Sequence, residues 1–240
     1  MLEICAPHKS VTGDSIIFML RLDPHFLQSE LLCASEHGNI SRTVKEWADT
    51  FGFDIVVNAG MYDLSNGLIN KGYMRNRYHV NNPTLQSSYN CMIALNPIDT
   101  SDMDFKIVDL TCNEWKSLEW RYASFSQGMR MLDCRGNPLS WNKKNQLCSM
   151  LIAATDSSGL IYFIFSRAPY SHNDMIAFLR SLRLGLCNAV YLEGGPETSL
   201  YLKVGDTLIE KIGSYVSETY PTDENDYFWK LPNVIGFKLK

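Results

Sequence analysis

Three short segments hold the residues best suited to chemistry. They are Asn58-Ala59-Gly60, Ser124-Phe125-Ser126-Gln127-Gly128-Met129-Arg130, and Glu193-Gly194-Gly195-Pro196-Glu197-Thr198-Ser199. Asn58 and Glu193 each lead into a turn with glycine, which lets backbone approach a ligand closely or take a positive φ. Arg130 follows a glycine-containing turn, a presentation suited to bidentate recognition of phosphate or carboxylate. The plainer reading is a solvated arginine at a strand start. Glu193 and Glu197 are four residues apart, but Gly194, Gly195 and Pro196 exclude a helix between them. They either form a carboxylate pair in one turn, the kind of group that flanks an anomeric carbon in glycosidic chemistry, or Glu193 works alone and Glu197 is a solvated charge. Thr198 and Ser199 add hydroxyls that could hold sugar or phosphate oxygens.

Two of these segments end the same local design. Residues 43–60 read as a helix, a glycine stop, an apolar strand and Asn-Ala-Gly. Residues 171–195 read as a helix, a glycine stop, an apolar strand and Glu-Gly-Gly. Thr43 and Glu46 have capping-box spacing before the first helix, and Ser171 is a suitable cap for the second, over 172–183. The strands following the helices cover 53–57 and 189–192. If they lie parallel and adjacent, Asn58 and Glu193 face one cleft, where ligand crevices form in α/β sheets. Otherwise they are ordinary tight turns with polar caps.

Further strands are expected at 15–22, ended by Asp23-Pro24, at 91–95, 105–110 and 129–132, and at 234–239. A hairpin joins 150–154 to 160–165 across Asp156-Ser157-Ser158-Gly159. Residues 60–90 read as a long functional loop. The expected fold class is α+β (mixed α/β), a single domain over 1–240 with a mixed central sheet flanked by helices.

Composition narrows the partners. The 240 residues carry 22 Lys and Arg against 26 Asp and Glu, a net charge of −4, with 45% hydrophobic residues. That balance is globular and lacks the basic footprint of a nucleic-acid binder. No apolar run approaches the roughly 20 residues of a membrane span, and no signal-peptide pattern occurs. The cysteines at 5, 33, 91, 112, 134, 148 and 187 contain no Cys-x-x-Cys. They read mostly as thiols rather than disulfides, which leans toward the cytoplasm; the alternative is an exported chain whose signal was removed. No histidine metal spacing and no calcium-loop spacing is present. No cofactor or metal is therefore expected, the alternative being a divalent cation held by the acidic turns. Asn39-Ile40-Ser41 fits a glycosylation sequon, and 222–226 reads as a solvated acidic loop.

Over most of its length the chain resembles the catalytic domain of the phosphodiester glycosidase family. The anchors are Arg21-Leu22-Asp23-Pro24, Val57-Asn58-Ala59-Gly60-Met61-Tyr62, Ser126-Gln127-Gly128-Met129-Arg130, Phe165-Ser166-Arg167 and Tyr191-Leu192-Glu193-Gly194-Gly195-Pro196. The resemblance implies a hydrolase, a glycosidase cleaving between a sugar's anomeric carbon and a phosphodiester oxygen. Its substrate would be a small-molecule or oligosaccharide sugar phosphodiester. Bacterial relatives are often exported and linked to exopolysaccharide. One departure stands out: the family's second turn usually starts with aspartate, and this chain has Glu193. The extra methylene points to a different substrate, or to a non-catalytic binder of envelope or exopolysaccharide sugars on the same scaffold.

The resemblance also distributes roles. Glu193 is the carboxylate, as base or electrostatic stabiliser, and Arg130 takes the phosphate, helped by Arg167. Asn58 completes the catalytic set. Gly60, Ser126, Gln127, Gly194, Gly195, Glu197, Thr198 and Ser199 bind substrate. Lys71 and Arg75 either cover the phosphate or are solvated loop charges.

Overall fold

The computed structural model describes residues 1–63, 65–142 and 146–240. In chain order, β1 (Leu2–Cys5), β2 (Ile16–Leu22) and β3 (Leu27–Cys33) precede α1 (Val44–Phe51) and β4 (Ile55–Asn58). Four short strands follow: β5 (Tyr62–Asp63), β6 (Asn66–Asn70), β7 (Met74–Asn76) and β8 (His79–Asn82). Next come β9 (Cys91–Pro97), β10 (Phe105–Asp109), α2 (Trp115–Glu119), β11 (Tyr122–Leu132), β12 (Leu147–Asp156) and β13 (Ile161–Ser171). The chain continues through α3 (His172–Ser181), β14 (Leu186–Gly194), β15 (Ser199–Val204), β16 (Thr207–Ile212) and β17 (Asn233–Leu239).

The strands build two main sheets. The larger runs β1-β2-β13-β12-β14-β11-β7-β8, with β9 on β11 and β10 on β9; the smaller runs β16-β15-β4-β17-β3. Alternation along each strand divides the core. Phe18, Leu20, Leu151 and Phe163 of the larger sheet meet Ile55, Val57, Leu200 and Phe237 of the smaller in one buried cluster. Their neighbours face outward, where Ile17, Ile152 and Ile164 lie under Met175, Phe178 and Leu179 of α3. On the opposite side Val56, Tyr201 and Val234 lie under Val44, Trp47 and Ala48 of α1. Both faces of each sheet are covered, so the central strands read as unbroken apolar runs. Each such large side chain contributes about 1.5–3 kcal/mol by leaving water.

Helices α1 and α3 start as their sequences dictate. Thr43 Oγ1 accepts from Glu46 N–H (3.1 Å) while Glu46 Oε2 accepts from Thr43 N–H (2.8 Å). Gly52, at φ +67°, ends α1. Ser171 and Asp174 form the same reciprocal box before α3.

The fold class needs correcting. Strands make up 48% of the chain and helices 14%, and the strands form two main sheets and the two-stranded β5-β6 sheet rather than one central sheet. Every pairing between the described strands is antiparallel. The helix-strand units are real, but each crossover skips a place. α1 links β3 to β4 with β17 between them, and α3 links β13 to β14 with β12 between them. An antiparallel strand fills each gap. β4 and β14 also lie in different sheets, so Asn58 and Glu193 do not end neighbouring parallel strands.

The expected loop at 60–90 contains β5 to β8, and the expected strand at 129–132 is the end of the longer β11. Leu64, within that loop, lies outside the described residues. The cysteine reading also changes: Cys112 and Cys134 form a disulfide, and five cysteines remain free. No described helix is long and apolar enough to cross a membrane.

Candidate active site

The turn after β14 carries the chain from the larger sheet to the smaller. Asn58, at the end of β4, fixes that crossing. Its Nδ2 donates to the Glu197 carbonyl (2.9 Å), and its Oδ1 accepts from Ser199 N–H (2.8 Å). Ser126 Oγ on β11 donates to the Ala59 carbonyl (2.6 Å), tying the two sheets together beside it. Glycine is needed at 60, where φ is +153° and a Cβ would stand 2.9 Å from Asn70 Oδ1.

A cavity of about 620 Å³ opens beside this crossing, a size suited to a small ligand. Glu193 and Glu197 both line it, with Lys71 and Arg130 as its cations and Tyr62, Tyr89, Trp141, His172 and Tyr191 as its aromatic wall. Burial pushes the Glu193 carboxyl well above the usual range; the Glu197 charge adds to this, while Gly194 N–H and Lys71 oppose it. Burial raises Glu197 as well. The Glu197 charge thus opposes ionisation of Glu193 beside it, and the two carboxyls titrate as a coupled pair. Burial, then the charges of Glu197 and Glu193, keeps the Tyr62 phenol protonated, and burial with the Glu193 charge does so for Tyr89. Tyr191 stays neutral for the same leading reason, burial. A Cβ on Gly194 would stand 2.1 Å from Tyr191 Oη, so glycine is what lets that phenol lie against the Glu193 turn.

Arg130 reaches the cavity already committed on one side. Its Nη1 donates to both Asp109 oxygens (2.7 Å each) and to Thr111 Oγ1 (2.6 Å). Asp109 is fully buried and also accepts from Thr111 N–H, the Thr111 hydroxyl and Cys134 N–H. The Cys112–Cys134 disulfide joins the two segments that supply these donors. Arg130 Nη2 has no protein partner among the described residues. Lys71 forms no ion pair among them either.

Of the residues expected to act, Glu193, Arg130, Gly194 and Glu197 share the cavity. Asn58, Gly60, Ser126, Gln127, Gly195, Thr198 and Ser199 lie outside its lining. Their hydrogen bonds explain why. Asn58, Ser126 and Ser199 are spent on the crossing just described. Gln127 Oε1 accepts from Tyr73 N–H (3.0 Å) and Gln86 N–H (2.9 Å), and its Nε2 donates to the Gln86 (2.9 Å) and Tyr89 (2.7 Å) carbonyls. It holds the segment that presents Ser88 and Tyr89 to the cavity. Thr198 and Gly195 are buried in the crossing turn.

Arg167 and Arg75 also lie away from the cavity. Arg167 pairs with Asp223 (2.8 Å) and donates to the Ile212, Asp223 and Asn225 carbonyls (2.9 Å each), strapping down the expected acidic loop. Arg75 lies over the Phe125 ring at 5.0 Å. Lys71, read as either a phosphate ligand or a solvated charge, faces the cavity. No motif in the sequence marks Trp141, His172 or Tyr89 as cavity residues, and Tyr191 enters it only as part of the Tyr191–Pro196 anchor. Tyr191 lies only two residues before Glu193, but a register shift interrupts β14 between them, so strict alternation along the strand does not record that both reach the cavity.

The sequence profile of the phosphodiester glycosidase family matches residues 51–238. No curated protein matches the chain in sequence. The crystal structure of a hypothetical protein from Synechocystis superposes with a TM-score of 0.62 at 13% identity, covering 94% of this chain and 59% of that one. This chain thus spans less than two thirds of that protein. The catalytic domain of zebrafish N-acetylglucosamine-1-phosphodiester alpha-N-acetylglucosaminidase, auto-inhibited by pro-peptide, superposes with a TM-score of 0.58 at 11% identity. That match covers 100% of this chain and 88% of that one. At such identities the likeness concerns the fold, while the profile match spans most of the sequence. The chain belongs to the phosphodiester glycosidase family.

Proposed function

We propose that the chain hydrolyses the bond between a sugar's anomeric carbon and a phosphodiester oxygen in the cavity at the sheet crossing. The observation that carries this reading is the carboxylate pair, Glu193 and Glu197, facing one cavity with Lys71 and Arg130. The C1–O bond breaks with its electron pair leaving on the phosphate oxygen. A phosphate monoester is a good leaving group, so the step depends little on a general acid. Lys71 and the unpaired side of the Arg130 guanidinium meet the phosphate charge. The ionised member of the carboxylate pair stabilises the positive charge developing at C1 and takes a proton from the water that adds there. The neutral phenols of Tyr62 and Tyr89 offer donors to sugar hydroxyls.

The test is release of free sugar from a pyranosyl phosphodiester by the wild type and by Glu193→Gln. The wild type releases sugar and a phosphate monoester in equal amounts, and the variant loses this turnover while keeping its fold by circular dichroism. Full turnover by the variant removes Glu193 from the chemistry. Saturable binding by the wild type with no product would instead favour the sugar binder.

A further inference from the structure

Trp141 has the attributes of a platform built to carry a ligand. Its backbone N–H donates to Asn173 Oδ1 (3.0 Å), and its carbonyl accepts from Asn173 Nδ2 (3.0 Å). Its indole N–H donates to the Arg130 carbonyl (3.3 Å). The ring is thus fixed at both backbone groups and at its polar edge. Beneath it lies His172, parallel within 10° at a centroid distance of 3.8 Å, and Tyr191 packs edge-on at 5.7 Å. One face is taken by the histidine, while the ring is only partly buried and lines the cavity that holds Glu193 and Glu197. Asn173 belongs to α3 and Arg130 to β11, so two rigid elements hold it in place.

An apolar surface fixed in this way, beside polar groups, suits a ligand with one apolar face and polar edges. A pyranose fits that description: its axial C–H bonds form an apolar face, and its hydroxyls project around the rim. We infer that Trp141 is the stacking platform for the pyranose ring of the substrate. The inference rests on the hydrolase reading for the word substrate, but the stacking contact itself requires no turnover. The tether matters as much as the ring, because a surface already immobilised loses little conformational freedom on binding. The phosphate then lies toward Lys71 and Arg130, and the anomeric carbon toward the carboxylates.

The test uses intrinsic fluorescence and calorimetry with pyranosyl 1-phosphates (glucose, galactose, N-acetylglucosamine) and with uridine monophosphate, which carries a base and no pyranose. Of the five tryptophans, Trp141 is the one lining the cavity. At least one pyranosyl phosphate is expected to change the emission of the wild type. Trp141→Phe loses the emission change but keeps Kd within about threefold, since a ring remains. Trp141→Ala weakens Kd about tenfold, the scale of one aromatic contact. Asn173→Ala keeps the ring, loosens its tether and weakens Kd by an intermediate factor. The inference is overturned if Trp141→Phe retains the emission change, if both Trp141→Ala and Asn173→Ala bind within twofold of wild type, or if only uridine monophosphate responds. Binding of these probes through Trp141, with no release of sugar from a pyranosyl phosphodiester, would count against the hydrolase reading and leave the platform standing.

Discussion

Asp109→Asn tests how Arg130 is delivered to the cavity. The Asp109 side chain is 0% exposed and that of Arg130 13%. Its two oxygens take both 2.7 Å bonds from Arg130 Nη1, and Oδ1 takes the Thr111 N–H (2.8 Å) and hydroxyl (2.7 Å) as well. Asparagine keeps one acceptor and puts an NH₂ where the other oxygen stood, so a guanidinium faces a donor and loses its countercharge. Breaking a buried pair by removing one partner costs about 3–5 kcal/mol. Arg130 can still reach water in the cavity, which places the loss near about 3 kcal/mol. For a chain of this length that lowers Tm by about 6–12 °C.

The effect has a defined pH dependence. Burial works to raise the Asp109 carboxyl, but the Thr111 N–H and hydroxyl and the Arg130 guanidinium outweigh it and hold it below the usual range. A depressed folded value stabilises above the unfolded value of about 3.9 and is lost as pH falls through the folded one. The Tm gap between wild type and variant is therefore full at pH 7 and closes in strong acid. The Cys112–Cys134 disulfide, spanning 22 residues, contributes about 3 kcal/mol of its own by loop closure. Because it holds Thr111 and Cys134 against Asp109, reduction and Asp109→Asn together cost less than their sum. Calorimetry at pH 7 and pH 3, with and without reductant, reads all of this. A shift below about 2 °C at pH 7, or a gap unchanged by pH, refutes the reasoning.

Glu193→Gln has the opposite sign. A carboxyl raised on folding is stabilising below its unfolded value of about 4.3 and loses that contribution as pH rises through the folded value. The variant therefore gains stability over wild type as pH climbs from acid to neutral, read by urea denaturation at several pH values; a variant less stable at pH 8 contradicts the burial argument. Asn58→Ala leaves Ser199 N–H without its partner and the Glu197 carbonyl with the Ser199 hydroxyl alone, costing about 1–3 kcal/mol, and lowers kcat by loosening the Glu197 turn; unchanged stability and kcat would mean the clamp is not needed. Gln127→Ala frees the segment bearing Tyr89 and raises KM more than it lowers kcat, checked by steady-state kinetics; an unchanged KM refutes its positioning role.

Local signals were the most legible. Thr43 with Glu46, Ser171 with Asp174, and the left-handed Gly52 are written in adjacent residues, and the helices begin where those residues say. The Glu193 turn was visible because few structural needs put a carboxylate before two glycines. Sheet membership was not visible. The insertion of β12 and β17 between the strands that α3 and α1 connect depends on segments far apart in the chain, and no local period records it. The same limit explains the site. Asn58, Gln127 and Arg167 look like ligand groups in sequence, yet their partners are backbone atoms more than thirty residues away. Trp141 was hidden for the converse reason: its value comes from Asn173, Arg130 and His172, none of them a neighbour in sequence. The disulfide was missed because composition argued for thiols, whereas the pairing depends on β10 and β11 bringing Cys112 and Cys134 together.

The central claim is that the bond broken is carbon to oxygen at the sugar. Hydrolysis of a pyranosyl phosphodiester in ¹⁸O-enriched water, with mass spectrometry of the released phosphate monoester, decides it. The account predicts a phosphate monoester free of the label, because water adds to C1 and the phosphate keeps all its original oxygens. A labelled phosphate would show attack at phosphorus and contradict the account.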